Sequence, residues 1–427
     1  MLLTLVFIYL LVTIAIGLMA AKRVNNSADF AIAGRHLPLV MIVTTTFATW
    51  FGSETVLGIP AKFVNSGLGG VVEDPFGAGT CLILVGVFFA AKLYKMNLLT
   101  ISDYYRERYG RVVEVMCSVM IMISYLGWVS AQVTALGLVF NVLSGGADKV
   151  VALAIDRDMF AFFPEPSFKD IAFFFAAAIT IMLGSIPQQD VFQRVMSANS
   201  MHAAKWGPVI GGVCYILFAF VPMFLVVSAL IIMPERAATL MAEDPQKVLP
   251  TLVMEQMPFV MQVLFFGALL SAIKSCASAT LLAPSVTFTE NIWRQFRPFQ
   301  NDRQELRAMR ITVLAFSAVV LSYAIAMQGT SIYEMVSGAY QVPLVGAFVP
   351  LVFGLYWQRA TTQGAIFSMA LGLLTWGLFL ATPAGEEFPA QLAGLAAALV
   401  GMFGGSLGPQ VLTNRHGQHH HLVGSAR

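Results

Sequence analysis

A glutamate sits in the middle of a stretch that otherwise reads as membrane-spanning. Thr44 to Pro60, TTTFATWFGSETVLGIP, is long enough to cross a bilayer and apolar at both ends. Its middle holds Thr46, Trp50, Gly52, Ser53, Glu54 and Thr55, followed by Gly58 and Pro60. In hydrocarbon, non-helical backbone is tolerated only where protein or a water-filled cavity surrounds it. An ionisable side chain at that depth marks a functional site by default. The chemistry these residues support is binding rather than bond-making. An unwound turn frees carbonyls for a cation, and the ends of the half-helices turn their dipoles toward a solute.

Two further stretches carry the same kind of signal. Ile181 to Arg194, IMLGSIPQQDVFQR, places Gly184, Ser185, Pro187, Gln188 and Gln189 inside or at the end of an apolar run. Glycine and proline are common in membrane helices. Two interrupted segments with polar clusters nevertheless point to a midplane site shared by two halves of a transporter. Ala268 to Ser285, ALLSAIKSCASATLLAPS, lines up Ser271, Ser275, Ser278 and Thr280 in one span. Small residues of this kind pack helices closely, or they present oxygen ligands to a hard cation such as Na⁺. Spacing alone does not choose between the two.

The elements that must position these residues are transmembrane helices. The chain has 427 residues, of which 11% are charged. Soluble domains carry about 25%, and the mean hydropathy of +0.76 agrees with a polytopic membrane protein. A window of about 19 residues predicts eleven spans, at 2–20, 38–60, 70–94, 112–143, 170–191, 207–233, 258–290, 309–327, 332–357, 363–382 and 390–412. The architecture is all-α, a single transmembrane domain over 1–427 with a tail over 413–427. The opening run lacks a basic n-region and its positive charge follows the apolar stretch, so it reads as a retained first span. The four cysteines lie inside apolar runs, against a disulfide framework.

Loop charge predicts orientation. Lys22, Arg23 and Arg35, then Lys92, Lys95, Arg106, Arg108 and Arg111, then Arg194 and Lys205 fall on one side. Arg294 to Arg310, Arg359, Arg415 and Arg427 continue the set, and the alternate loops are acidic or neutral. The positive-inside rule puts the N-terminus outside and the C-terminus in the cytoplasm, in a plasma membrane such as the bacterial inner membrane. The stretch 144–169, with Asp148, Lys149, Asp156, Arg157, Asp158 and Pro164, is too charged to span and reads as an external loop with a short helix. The tail histidines His416, His419, His420 and His421 read as a solvated end.

On DFAIAGRHLPL (29–39), the interrupted first segment, EDPFG (73–77), GSIPQQDVFQRVMSA (184–198), LLSAIKSCASATLLAPS (269–285) and MRITV (309–313), the sequence resembles the sodium:solute symporter family. FATW (47–50), the GSIPQQ and FQRV motifs, and Trp128 ahead of an ALG motif resemble its high-affinity choline branch. The resemblance implies the inverted-repeat fold first seen in a bacterial leucine transporter. It implies a Na⁺ site at positions matching Ala48 and Phe51 on the first broken helix and Ala272, Ser275 and Cys276 on the Ser-rich span. It also implies that Trp50 and Trp128 surround an organic cation, since a ring face attracts a cation without hydrogen bonds. A further aromatic of that cage falls at Gln188 here.

Three positions depart from the family pattern. Cys276 stands where a hydroxyl is usual, and a thiol is a poor ligand for a hard cation. Lys274 precedes Ser275 deep in the span. It is expected to take the place of Na⁺, to carry a coupling proton, or to pair with an acid such as Glu54. Family members also have two more spans between Leu143 and Asp170, so the first repeat reads as incomplete.

The function expected is secondary active transport: Na⁺, or H⁺ through Lys274, drives uptake of a small organic solute (an organic cation, an amino acid or similar). Trp50, Glu54, Trp128, Gln188 and Gln189 would line the solute site. The competing readings are a non-transporting sensor or binding module, or a truncated inactive member. No catalytic constellation, phosphate loop or nucleic-acid motif stands out, since His36 and His202 lie in loops without metal spacing.

Overall fold

The computed structural model describes residues 1–22, 24–143 and 157–412. Asp148, Lys149, Asp156, the tail histidines, Arg23, Arg415 and Arg427 lie outside the described residues. Among the described residues nine helices are long and apolar enough to cross a membrane, and a tenth span is a pair bent by 46°. The segment around Glu54 is instead a shorter apolar helix, Leu39–Trp50, followed by a break and a second short helix, so ten of the eleven sequence-predicted spans meet the length and composition of a crossing.

In chain order, α1 is Leu2–Ala21, and the first broken span is α2 (Leu39–Trp50) and α3 (Ile59–Ser66), joined by a π-helical turn over Glu54–Gly58. Then come α4 (Gly69–Met96), a connecting helix α5 (Ile101–Tyr109) and the long α6 (Arg111–Leu143). The second broken span is α7 (Phe168–Gly184) and α8 (Gln189–Met196), followed by α9 (Met201–Ile232). Two short helices, α10 (Pro234–Glu243) and α11 (Val248–Gln256), cap one pole. The chain continues through α12 (Phe259–Phe296), α13 (Asp302–Ala326), α14 (Ile332–Tyr356), α15 (Thr362–Ala381) and α16 (Ala390–Leu407).

The centre of the bundle is α6, which packs against α14, α12, α13 and α5. Its residues alternate between buried ones (Ser124, Tyr125, Trp128, Gln132, Ala135) and exposed Val119, Ile123 and Leu136. That is the one-sided burial a helix on the wall of a core must show. α2 lies along α9, and α15 pairs with α16 at the periphery. α1 rests on α12 with one core side chain, Val6, and is otherwise largely exposed.

Segments that carried the family resemblance meet in space. Leu37 pairs with Ala198 in an isolated bridge, through Leu37 N to Ser197 O (3.0 Å) and Asn199 N to Leu37 O (2.9 Å). Arg35 Nη2 donates to the Tyr94 carbonyl at 2.9 Å, and Tyr94 Oη donates to Ala198 O at 2.9 Å. The entry to the first broken span is thereby tied to the exit of the second, which fixes the two half-helices relative to each other.

Leu39 to Leu143 supplies three spans, whereas Phe168 to Tyr356 supplies five. Between Leu143 and Phe168 the described part is one helical turn, Arg157–Phe160, followed by irregular chain. This stretch folds back on the first broken span: Leu68 N donates to Met159 O (2.7 Å) and Gly69 N to Ala161 O (3.1 Å). Gly67 makes this possible, because its φ of +68° is left-handed and a Cβ there would meet Met159 O at 2.9 Å. The remaining residues, 144–156, are too few for a span of about 20. Among the described residues between Leu143 and Phe168 there is no membrane-length helix.

Candidate functional site

The first break is an inverse γ-turn. Phe51 takes φ −77°, ψ 79°, and Gly52 N donates to Trp50 O at 2.9 Å. Gly52 N therefore does not reach the carbonyl of Ala48, four residues back, as continuation of the helix requires. Helical backbone resumes at Ser53 and runs through the wide turn Glu54–Gly58. Gly52 has no room for a side chain, since a Cβ would lie 3.0 Å from Cys276 Sγ and 3.1 Å from Gln132 Oε1. The Ser-rich helix α12 thus comes against the first break through Cys276, which is fully buried.

The second break follows Gly184. Ser185, Ile186 and Pro187 form a turn, and Gln188 is extended (φ −80°, ψ 143°) ahead of α8. Proline at 187 removes a backbone donor where the helix would otherwise continue.

Two tryptophans lie between the breaks, and a carboxylate holds each one. Trp50 Nε1 donates to Asp190 Oδ2 at 3.0 Å, and Trp128 Nε1 donates to Glu54 Oε1 at 3.2 Å. Glu54, 2% exposed, also accepts from Gln132 Nε2 (2.7 Å) and Ser53 Oγ (3.4 Å). Asp190, 1% exposed, accepts from Tyr125 Oη, which in turn accepts from Asp190 N at 2.9 Å. The indole N–H groups are spoken for, so what each ring has left to offer is its face. Trp50 and Trp128 are edge to face at 6.4 Å, Tyr125 stacks on Trp128 at 5.9 Å, Tyr340 lies 5.5 Å from Trp128, and Tyr215 lies 6.2 Å from Trp50. A relay of hydroxyls runs behind them. Tyr215 Oη donates to Asp74 Oδ1 (2.7 Å) and contacts Thr55 Oγ1 (2.9 Å), which donates to Trp50 O (3.1 Å).

The structure brings Trp50, Glu54 and Trp128 together. Gln188 joins them through Ser124 on α6, to which its Nε2 donates at 2.8 Å, and it leaves Oε1 buried without a partner. Gln189 does not join. Its Oε1 accepts from Ile101 N at 2.7 Å and its Nε2 donates to Leu99 O, so it holds the start of α5. Adjacent residues on a helix diverge by about 100°, which is why Gln189 turns away. Lys274 is also corrected. Its Nζ donates to Thr13 Oγ1 on α1 at 2.6 Å, on the opposite side of α12 from Cys276, and it neither pairs with Glu54 nor enters the break. Ala272 is half-buried and Ser275 is exposed, so of the Ser-rich positions only Cys276 seats against the first break.

The sequence reading missed Asp190, Tyr125, Gln132, Tyr215 and Asp74. Ser124, Tyr125, Trp128 and Gln132 recur at helical spacing on one face of α6, which was a usable signal. Asp190 stood within the PQQD run, and Asp74 within EDPFG.

One broad opening leads toward this region from the pole opposite the basic loops. It is a cavity of about 560 Å³ lined by Gly58, Lys62, Asn65, Thr134, Gln246 and Tyr333, among others. Gly58, the last residue of the wide turn, is part of its wall. Below it, Ser337 Oγ on α14 donates to Glu73 Oε2 on α4 at 2.7 Å, closing α14 against α4.

Two broken helices facing each other across a buried polar and aromatic cluster, with a cavity at one pole, define a membrane transport protein of the alternating-access kind. The sodium:solute symporter family model matches residues 30–163 and 147–372. The chain belongs to that family: it is a secondary active transporter that couples Na⁺ to the movement of a small organic solute. It is 23% identical over 440 aligned positions to a high-affinity choline transporter of Caenorhabditis elegans, covering 86% of this chain and 76% of that protein. It is 24% identical over 452 positions to the high-affinity proline transporter PutP of Bacillus subtilis, covering 91% and 94%. The fold superposes on a Na⁺-coupled sialic acid symporter in a substrate-bound, outward-open state with TM-score 0.73 at 16% identity, covering 95% and 97%. The family match comes in two pieces that overlap at 147–163. Both sequence alignments also run longer than the 427-residue chain while covering only part of it. The relatives therefore carry residues with no counterpart here.

Proposed function

We propose that the solute is an organic cation or a zwitterion with a cationic head, held between the faces of Trp50 and Trp128. The observation that carries this is the aromatic cluster of Trp50, Trp128, Tyr125 and Tyr340, in which each indole is pinned through Nε1 by a buried carboxyl group, Asp190 or Glu54. A ring face attracts a desolvated cation by about 2 kcal/mol or more, and Glu54 and Asp190 add long-range attraction. Gln188 Oε1 is a ready acceptor for a hydroxyl or ammonium of the same solute. Choline and proline, named for two of the relatives, both carry a cationic nitrogen, while other relatives are named for glucose and myo-inositol.

The coupling ion would sit at the first break, on the carbonyls of Ala48 and Phe51, with Cys276 alone of the three α12 positions seated against it in this arrangement. The γ-turn at Phe51 supports this, because it withholds the donor that Ala48 O would otherwise accept. Loop charge supports a plasma membrane orientation with the N-terminus outside and the C-terminus in the cytoplasm, as in a bacterial inner membrane.

The test is uptake of radiolabelled choline, proline and a sugar by proteoliposomes under an inward Na⁺ gradient. Accumulation of one of the two cationic-nitrogen compounds that collapses when the gradient is removed is the expected result. Accumulation of the sugar alone would overturn the solute assignment, and binding without accumulation would identify a non-transporting module.

A further inference from the structure

Lys274 is the residue the transport site does not absorb. It lies 15 residues from Phe259, about 22 Å along the helix, and 22 residues from Phe296, about 33 Å, so it stands deep within α12. The hydrocarbon core is about 30 Å thick, and a four-carbon stem does not reach either interface from its middle. Its one hydrogen-bond partner among the described residues is the Thr13 hydroxyl. That hydroxyl spends its own proton on Leu10 O at 2.8 Å and is uncharged. An ammonium has three donors and a full charge to compensate. The buried carboxylates of the bundle are engaged elsewhere: Glu54 with Trp128 and Gln132, Asp190 with Trp50 and Tyr125, Asp74 with Tyr215, and Glu73 with Ser337.

The same side of α12 is uncovered. Ser275 and Ser278 are exposed at mid-helix, and among the described residues neither hydroxyl makes a hydrogen bond. An ammonium and two bare hydroxyls facing hydrocarbon are unfavourable together. We propose that this face of α12 is covered by a transmembrane helix of another polypeptide, one that carries a carboxylate at mid-span opposite Lys274 and small residues opposite Ser275 and Ser278.

The residues outside the described structure, chiefly 144–156 and 413–427, contain no apolar run approaching 20 residues. A lipid headgroup does not descend to the midplane. A second copy docked through the same face would be isologous and would set ammonium against ammonium. Opposite charge is what the surface requires, and in the membrane a helix is what delivers it.

The experiment uses the full chain in liposomes at pH 8 with synthetic 24-residue Leu/Ala transmembrane helices as probes, read by fluorescence energy transfer. A probe with one central Asp is expected to bind at least tenfold tighter than the all-apolar probe. Lys274→Met should erase that preference, and Lys274→Asp should transfer it to a probe with a central Lys. Folding of each variant is checked by monodisperse elution, and the charge-swapped pair excludes a merely structural loss. Equal binding of Asp and apolar probes, or a preference that survives Lys274→Met, overturns the proposal. So does disulfide cross-linking of Ser278→Cys into homodimers in liposomes holding the chain alone.

Discussion

Two tryptophans hold the site, and two carboxylates hold the tryptophans. Asp190 is the more exposed to test, because it serves Trp50 and Tyr125 at once. Asp190→Ala leaves two buried donors without an acceptor, at about 1–3 kcal/mol each. Solute affinity should fall about tenfold or more in a binding assay, with the protein still folded. Its neighbour gives the contrast: Gln189→Ala removes bonds to Ile101 N and Leu99 O at the start of α5. It should lower thermal stability by about 1 kcal/mol while solute affinity stays within twofold. Trp50 and Glu54 were legible in the sequence because they stand in an interrupted apolar run, and Trp128 entered through the resemblance to the choline branch. Gln189 was misplaced and Asp190 overlooked for one reason. Both open a half-helix, and which of two successive residues faces the core depends on the angle at which α8 leaves the turn. No composition signal carries that angle.

The broken helices were visible as Gly/Pro interruptions, but the carbonyls they free were not. That depends on φ and ψ at Phe51 and on where Gly52 N turns. The approach of α12 was likewise hidden. The Ser-rich pattern suggested a hydroxyl face toward the ion, yet the helix is rotated so that Cys276 meets the break while Ser275 is exposed. A thiol is a soft group beside a hard cation. Cys276→Ser supplies an oxygen in slightly less space, and the buried position leaves that oxygen few other partners. The half-saturating Na⁺ concentration for uptake should fall several-fold, by the roughly 0.5–1.5 kcal/mol of an added polar contact. An unchanged Na⁺ dependence would place the ion away from Cys276 and detach α12 from the coupling site.

At the scale of the molecule, a broad polar cavity opens at the pole opposite the basic loops, and its wall includes Gly58, the last residue of the turn that carries Glu54. α14 and α4 are joined through Ser337 and Glu73. Transport requires that this pole and the other be open in turn, and a ligand shifts that balance only through its differential affinity for the two states. Loop charge carries the proposed orientation, whereas the cavity arises from how α3, α6 and α14 are arranged, which no single span encodes. Thr134 on α6 lines the cavity and takes no part in the site. Thr134→Cys should react with a membrane-impermeant maleimide added outside right-side-out vesicles, which reads the orientation directly. Saturating Na⁺ and solute together should slow that reaction about fivefold or more, the effect of a coupling near 1 kcal/mol, whereas either alone should slow it less. Reaction only from the cytoplasmic side would invert the topology. A rate indifferent to both ligands would mean that α14 does not move against α3 and α4 as the site fills, and the cavity would then not be the route by which solute arrives.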